Sequence, residues 1–390
     1  MSLPRPTGER SRIVVVGGGI LGTWHCYLAL SEGVEVVHLE RELAPRGASV
    51  RNFGLVWVGG RSPGAELELA LRARRLWEQM AGSVAGVSLR PAGSLTVALE
   101  EAELQLMKDA CARDDAVSRQ WELLDPLQAS EANPELSEAV LGALYCKADA
   151  IVEPRFVLSA MREALLRQRG RGRYTWLPGR TAVELASGSV RDDTGDWHSA
   201  DRVFLCTGAA HAGLVRPYLP PGSLRRVRLQ MLETAAYPGT IATALADGDS
   251  MRYYPAFDLP GRTALAAQSP EAAASRAQLL LVQRLDGSLT IGDTHEYEEP
   301  FGFDVEEPAY EHLVERAEAI LRKPLPSVLR RWAGVYSEVG PHSPVEAVYW
   351  RQEVLPGVEL VTGPGGRGMT CAPAIAEDSF SVGCPVPSTG

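Results

Sequence analysis

The feature that most constrains this chain is the apolar run Ile13-Val14-Val15-Val16, which breaks into Gly17-Gly18-Gly19-Ile20-Leu21-Gly22. A short β-branched run without polar alternation is the pattern of a strand buried on both faces, as in a parallel sheet. Helical apolar spacing follows to about Glu32, Gly33 ends it, and residues 34–39 form a second buried run that stops at Glu40. This predicts a βαβ unit and hence parallel strands. Gly17, Gly19 and Gly22 stand where a tight turn, a backbone without side chains in the way and exposed helix N–H groups are needed to seat a pyrophosphate. Glu40, roughly 20 residues on, is placed to accept hydrogen bonds from ribose hydroxyls and disfavours a 2′-phosphate. Together they predict a bound adenine dinucleotide. They do not separate NAD from FAD, which share the adenosine diphosphate half.

Further along, residues 65–80 carry helical spacing and residues 93–99 look like a strand leaving this block. Residues 101–136 are charged and helical in pattern, 149–154 form a turn, and 156–169 an amphipathic helix. Val203-Phe204-Leu205-Cys206 followed by Thr207-Gly208 repeats the strand-then-glycine pattern, as if the chain returned to a sheet beside a dinucleotide. Short runs at 230–234, 279–284 and 289–292 predict an antiparallel sheet. A helix at 308–321, a strand at 358–362, a Gly-rich turn at 363–368 and a final helix at about 373–378 complete the chain.

The 390 residues are 45% hydrophobic and 23% charged, which suits a globular protein with either one large interleaved fold or two ordinary domains, each with a sizeable core. A net charge of −10 argues against nucleic acid as a partner, so any anionic ligand needs a local basic pocket. No apolar run is long enough to span a bilayer, and the polar first dozen residues hold no apolar signal core, so a cytoplasmic protein is expected. The six Cys contain no CxxC pair, which points to neither a metal site nor a disulfide framework.

The chain resembles the D-amino acid oxidase and sarcosine oxidase superfamily of flavoproteins. The resemblance is carried by residues 14–22, Val152-Glu153-Pro154-Arg155, Leu205-Cys206-Thr207-Gly208-Ala209 and Gly363-Pro364-Gly365-Gly366-Arg367-Gly368-Met369-Thr370. Within it, Gly47-Ala48-Ser49-Val50-Arg51-Asn52-Phe53-Gly54, Tyr253-Tyr254-Pro255 and Gly292-Asp293-Thr294-His295-Glu296-Tyr297 resemble a bacterial clade linked to aminophosphonate breakdown. The resemblance implies an α/β fold, α+β overall and glutathione-reductase-like, with a Rossmann-like FAD-binding domain interleaved with a mixed or antiparallel-sheet substrate domain. It assigns 11–85, 149–215 and 330–384 to the FAD-binding domain, and 86–148 and 216–329 to the substrate domain. It implies oxidation of an amine, 2-aminoethylphosphonate or an N-methyl or hydroxylated relative, to an imine and then an aldehyde. Molecular oxygen, giving hydrogen peroxide, or a quinone would take the electrons. Similar amino acid oxidases carry an Arg soon after a Trp-x-Gly matching Trp332-Ala333-Gly334, and here Tyr336 stands near that place, which weakens a plain α-amino acid as substrate. A covalent flavin cysteine has no counterpart, although Cys371 falls near the expected ring, so FAD is expected to be non-covalent.

The expected FAD contacts are Gly17, Gly19, Ile20, Leu21, Gly22, Glu40, Arg41, Ser49, Arg51, Asn52, Thr207, Gly208, Gly365, Gly366, Gly368, Met369 and Thr370. Hydride transfer from an amine carbon needs a neutral amine, a fixed geometry and a group for the acidic end, and Arg suits phosphonate oxygens. Arg367 between the flavin-loop glycines, His295 after a strand end and Tyr254 are the catalytic candidates. Arg51, Arg252, Tyr253 and Tyr336 are the substrate candidates, with only one of Tyr253 and Tyr254 facing the ring if they lie on a strand. Solvated loops, turn formers and strand-end packing explain each of these equally simply. Other readings are the same chemistry on a D-amino acid, glycine or sarcosine, an NAD-linked dehydrogenase, and a dinucleotide-binding protein without turnover.

Overall fold

The computed structural model describes residues 11–168, 173–343 and 347–381. The predicted βαβ unit forms as Arg12–Val16, Ile20–Ser31 and Glu35–Glu40. Its strands pair in parallel and lie in a six-stranded sheet between Arg202–Leu205, Val358–Thr362 and the outer Trp350–Leu355 on one side and Tyr174–Pro178 on the other. Only the edge strand Trp350–Leu355 is antiparallel. Val14, Val36, Val203, Leu205, Val358 and Leu360 are fully buried, which is why these runs lack polar alternation. Helices Ile20–Ser31, Ala65–Ser83 and Gly368–Ser381 pack together over one face, where Trp24 and Trp77 meet edge to face with centroids 5.1 Å apart.

An eight-stranded mixed sheet stands beside the first, built around the long antiparallel pair Leu224–Ala236 and Val328–Val339. Ser94–Ala98, Trp121–Leu124 and Gly142–Cys146 extend it, and Glu307–Ile320 contributes Tyr310, Leu313, Ala317 and Ile320 to its core. Residues 330–339, assigned from sequence to the FAD-binding segments, therefore pair with the second sheet.

Several expectations are corrected. The stretch 101–136 is not all helical: Trp121–Leu124 is a strand between short helices. Val328–Val339 escaped notice because it is an edge strand whose first half is exposed and arginine-rich, leaving no buried run to read. The last helix is Gly368–Ser381, longer than 373–378 and with Pro373 inside it; nine of its residues are buried, and that packing outweighs the proline's preference for a helix start. The helix expected at 156–169 is Pro154–Arg167, and residue 169 lies outside the described residues, as do Cys384 and 382–384 of the last domain segment.

Candidate active site

The carboxyl ends of the parallel strands point into one cleft of about 2080 Å³, well beyond the roughly 300–1,000 Å³ of an ordinary ligand pocket. Ligands of open α/β sheets bind at such strand ends. Every expected cofactor residue lines this cleft except Gly22 and Thr370.

The nucleotide side is a backbone cradle. Gly17 has φ +111°, and a Cβ there would stand 2.3 Å from the Cys206 carbonyl oxygen. A Cβ on Gly22 would meet the Gly17 carbonyl at 2.0 Å, so Gly22 serves helix–strand packing rather than ligand contact. The buried His38 holds the turn through Nε2 on the Gly17 carbonyl at 3.0 Å, and burial lowers its pKa to about 4, keeping it neutral. Ser49 Oγ accepts from the Ile20 N–H at 3.0 Å, leaving its own proton to donate at the helix N-terminus. Glu40 accepts from Gly18 N–H at 2.6 Å and Glu42 N–H at 2.9 Å, and it lines the cleft. Asn52 braces the loop through Ala48 and Gly54, while Arg41 and Arg51 lie exposed at its rim. Thr207 Oγ1 is buried, lies on a residue that lines the cleft and has no hydrogen-bond partner among the described residues. An orphan hydroxyl, an unobstructed glycine turn and a strand-end acid fit the pyrophosphate and ribose of a dinucleotide.

Thr370 lies behind this surface. Its Oγ1 accepts from Trp57 N–H at 2.8 Å and from Arg61 Nη2 at 3.3 Å, tying the segment after Leu55–Val56 to the last helix. The terminal turn contributes Gly365, Gly366, Gly368 and Met369 to the cleft. Cys371 is fully buried, its thiol pushed up to about 11 by desolvation, and it does not line the cleft.

At the terminal turn, Arg367 Nε lies 2.8 Å from Glu66 Oε1, and Arg61 Nη1 lies 3.7 Å from that same oxygen. Two guanidinium groups thus share one buried carboxylate. Tyr253 and Tyr254 both line the cleft, because they end a short helix, Ser250–Tyr253, rather than lie on a strand. Tyr253 stacks on His295 with centroids 3.9 Å apart, and its hydroxyl lies 3.4 Å from that of Tyr336. Tyr336 is held against Val227 and Leu229. Burial lowers the His295 pKa to about 3, so at neutral pH the imidazole is uncharged and suits neither anion pairing nor strong base catalysis. Glu296 does not bond His295 but pairs with Arg228 at 2.8 Å. Arg252 is turned away from the cleft: it pairs with Asp249 at 2.9 Å and donates to the Ala266 carbonyl.

Sequence reasoning passed over Arg61, Glu66 and Asp293, all buried on the cleft wall. In sequence Asp293 stands inside Gly292-Asp293-Thr294-His295-Glu296-Tyr297, and its one signal is that of a carboxylate immediately after a buried strand.

The chain matches the family described as FAD dependent oxidoreductase (DAO) over residues 12–379. Among curated proteins, one of the subunits of opine oxidase from Rhizobium meliloti is 28% identical over 165 residues, 39% of this chain and 44% of the relative. One of the subunits of the anaerobic glycerol-3-phosphate dehydrogenase of Escherichia coli is 27% identical over 37% of this chain and 27% of the relative. The chain thus matches less than half the length of these relatives. Among solved structures, glycine oxidase from Bacillus cereus superposes with a TM-score of 0.73 at 18% identity, covering 95% of this chain and 93% of that one. Iminodiacetate oxidase from Chelativorans superposes with a TM-score of 0.72 at 18% identity, covering 94% and 93%. These likenesses establish the fold, and the family match over nearly the whole described chain establishes more: this protein belongs to the DAO family of FAD-dependent oxidoreductases.

Proposed function

We propose that this chain is an amine oxidoreductase that oxidises the carbon beside an amine nitrogen, with 2-aminoethylphosphonate or an N-methyl or hydroxylated relative as substrate. The observation that carries the reading is Arg367. Its Nε stands 2.8 Å from Glu66 Oε1 in an ion pair, the guanidinium makes no hydrogen bond among the described residues, and the side chain lines the cleft. A guanidinium fork fixed at one edge and open at the other suits two oxygens of a phosphonate. Arg61 beside it leaves this wall one positive charge in excess over Glu66.

Bound FAD supplies the acceptor for two electrons and the hydrogen of the amine carbon. The protein's part is positional: Arg367 holds the acidic end, and Tyr253, Tyr254 and Tyr336 line the cleft around the chain. Water then hydrolyses the imine to the aldehyde and ammonia. FAD is held without a covalent bond, in keeping with the burial of Cys371. Oxygen is the proposed final acceptor, giving hydrogen peroxide, with a quinone as the alternative.

A second reading, oxidation of an amino or imino carboxylate such as glycine, sarcosine or a D-amino acid, is favoured by the names of the relatives: opine oxidase, glycine oxidase and iminodiacetate oxidase. The same fork would then take a carboxylate. Anaerobic mixing of the FAD-loaded protein with 2-aminoethylphosphonate, its N-methyl derivative, sarcosine, glycine and D-alanine separates the two. Bleaching of the visible flavin band by phosphonates alone supports the first, bleaching by carboxylates alone supports the second, and no bleaching refutes both.

A further inference from the structure

We propose that Asp293 receives the ammonium end of the substrate and takes the proton whose loss leaves the nitrogen neutral, a role that rests on the amine reading above.

Asp293 follows the strand Ser288–Gly292 into the cleft and is only 6% exposed. Its backbone exchanges hydrogen bonds with Gln278 at 2.8 and 3.0 Å, and Gln278 Nε2 donates to Oδ1 at 3.0 Å, so the carboxylate is fixed in place. Oδ2 makes no side-chain hydrogen bond among the described residues, and His295 Nε2 stands 3.9 Å from it, beyond hydrogen-bond reach. That imidazole is neutral, so among the described residues no cation answers the carboxylate.

The other buried carboxylates are treated differently. Glu233 has Arg155 and Arg330, Glu359 has Arg202 and Arg351, and Asp247 has Arg316. Asp149 accepts from two backbone amides and the Ser94 hydroxyl. A buried carboxylate left without a cation is costly unless a ligand completes it, and Asp293 is the one that faces the cleft in this state. The groups around it are Gln278, His295, Tyr253 and Tyr254, the phenols of both tyrosines being pushed up by burial, so none supplies positive charge. Desolvation raises Asp293 to about 7, with the Gln278 hydrogen bond acting the other way, which puts its proton exchange in the physiological range.

The step balances simply. The N–H bond of R–NH3+ breaks, its electron pair stays on nitrogen, and the proton forms an O–H bond on Oδ2. Arg367 and Asp293 together then complement a substrate carrying an anion at one end and an ammonium at the other.

The test is calorimetry on oxygen-free protein whose FAD has been reduced beforehand, so that the amines bind without turnover, comparing 2-aminoethylphosphonate with ethylphosphonate and glycine with acetate, in wild type and in Asp293→Asn, which keeps the acceptor for Gln278. Wild type is expected to bind one ammonium-bearing ligand at least about tenfold more tightly than its amine-free counterpart, with a binding heat that depends on the buffer's ionisation. The variant is expected to retain flavin and to bind the amine-free ligand within about twofold of wild type, losing both the preference and the buffer dependence. A second measurement needs no variant: the wild-type preference should grow from about pH 6 to about pH 8 as Asp293 ionises. Equal affinities in wild type for both pairs, or a preference that survives Asp293→Asn, overturns the proposal. Asp293-dependent binding without flavin bleaching by any amine sinks the oxidation reading alone.

Discussion

The nucleotide side of the cleft is made of backbone, whereas the opposite side is made of side chains brought from distant segments of both sheets. Gly17, Gly19 and the start of the helix at Ile20 are near neighbours in sequence, and a neighbouring carbonyl or hydroxyl lies within 3.2 Å of where a Cβ on either glycine would sit. Arg61, Asp293, Tyr336 and Arg367 span three hundred residues and meet only because two sheets share an edge of the cleft. The first arrangement tolerates almost no added volume and is insensitive to side-chain identity. The second is the reverse: conservative side-chain changes there should alter specificity while leaving the cofactor bound.

The largest expected effect breaks the first side. In Gly22→Val, atoms would fall 2.0 Å from the Gly17 carbonyl, so the protein should purify colourless or insoluble, read as the ratio of flavin to protein absorbance. A yellow, active variant would mean that the cradle is not where FAD binds. Arg367→Gln should keep full flavin content but raise KM for an acidic amine by about 10–100-fold, the scale of a charge-assisted fork. Equal loss of flavin and KM would instead place Arg367 with the cofactor.

The next effect concerns pH. Asp293 has a folded pKa raised to about 7, above its unfolded value, so its contribution is fully present below the unfolded pKa and is lost as pH rises through about 7. Urea titrations at about pH 5.5 and pH 8 should show wild type losing ~2 kcal/mol relative to Asp293→Asn across that interval. Parallel behaviour would show that the carboxylate is not desolvated. The smallest effect is expected from Tyr336→Phe: its hydroxyl lies at a long 3.4 Å from that of Tyr253, so kcat/KM should change less than about fivefold.

The same contrast governs what could be read without coordinates. The βαβ unit was legible because its signal is local: a buried strand, glycines at fixed offsets and an acid at the next strand's end. Sixteen of the seventeen expected FAD contacts line the cleft or, in Gly22, pack the turn beneath it, while Thr370 braces a neighbouring segment from behind. The substrate side was less legible. Arg252 and Tyr253 are adjacent in sequence, yet one pairs with Asp249 away from the cleft and the other lines it, a difference set by one short helix. His295 looked like a titrating residue, and only its burial against Tyr253 reveals a neutral ring. Asp293 has only a weak signal, a carboxylate just after a buried strand, and its lack of a cation among the described residues emerges from tertiary contacts alone. The edge strand Val328–Val339 was hidden for a related reason, since an exposed strand carries no continuous apolar run.

The most direct test of the central claim is a single turnover: FAD-loaded protein mixed without oxygen with one equivalent of 2-aminoethylphosphonate, measuring flavin bleaching, ammonia and aldehyde together. The account predicts one ammonia and one phosphonate-bearing aldehyde for each flavin reduced. Bleaching without ammonia, or an unbleached flavin after full binding of the amine, would contradict it.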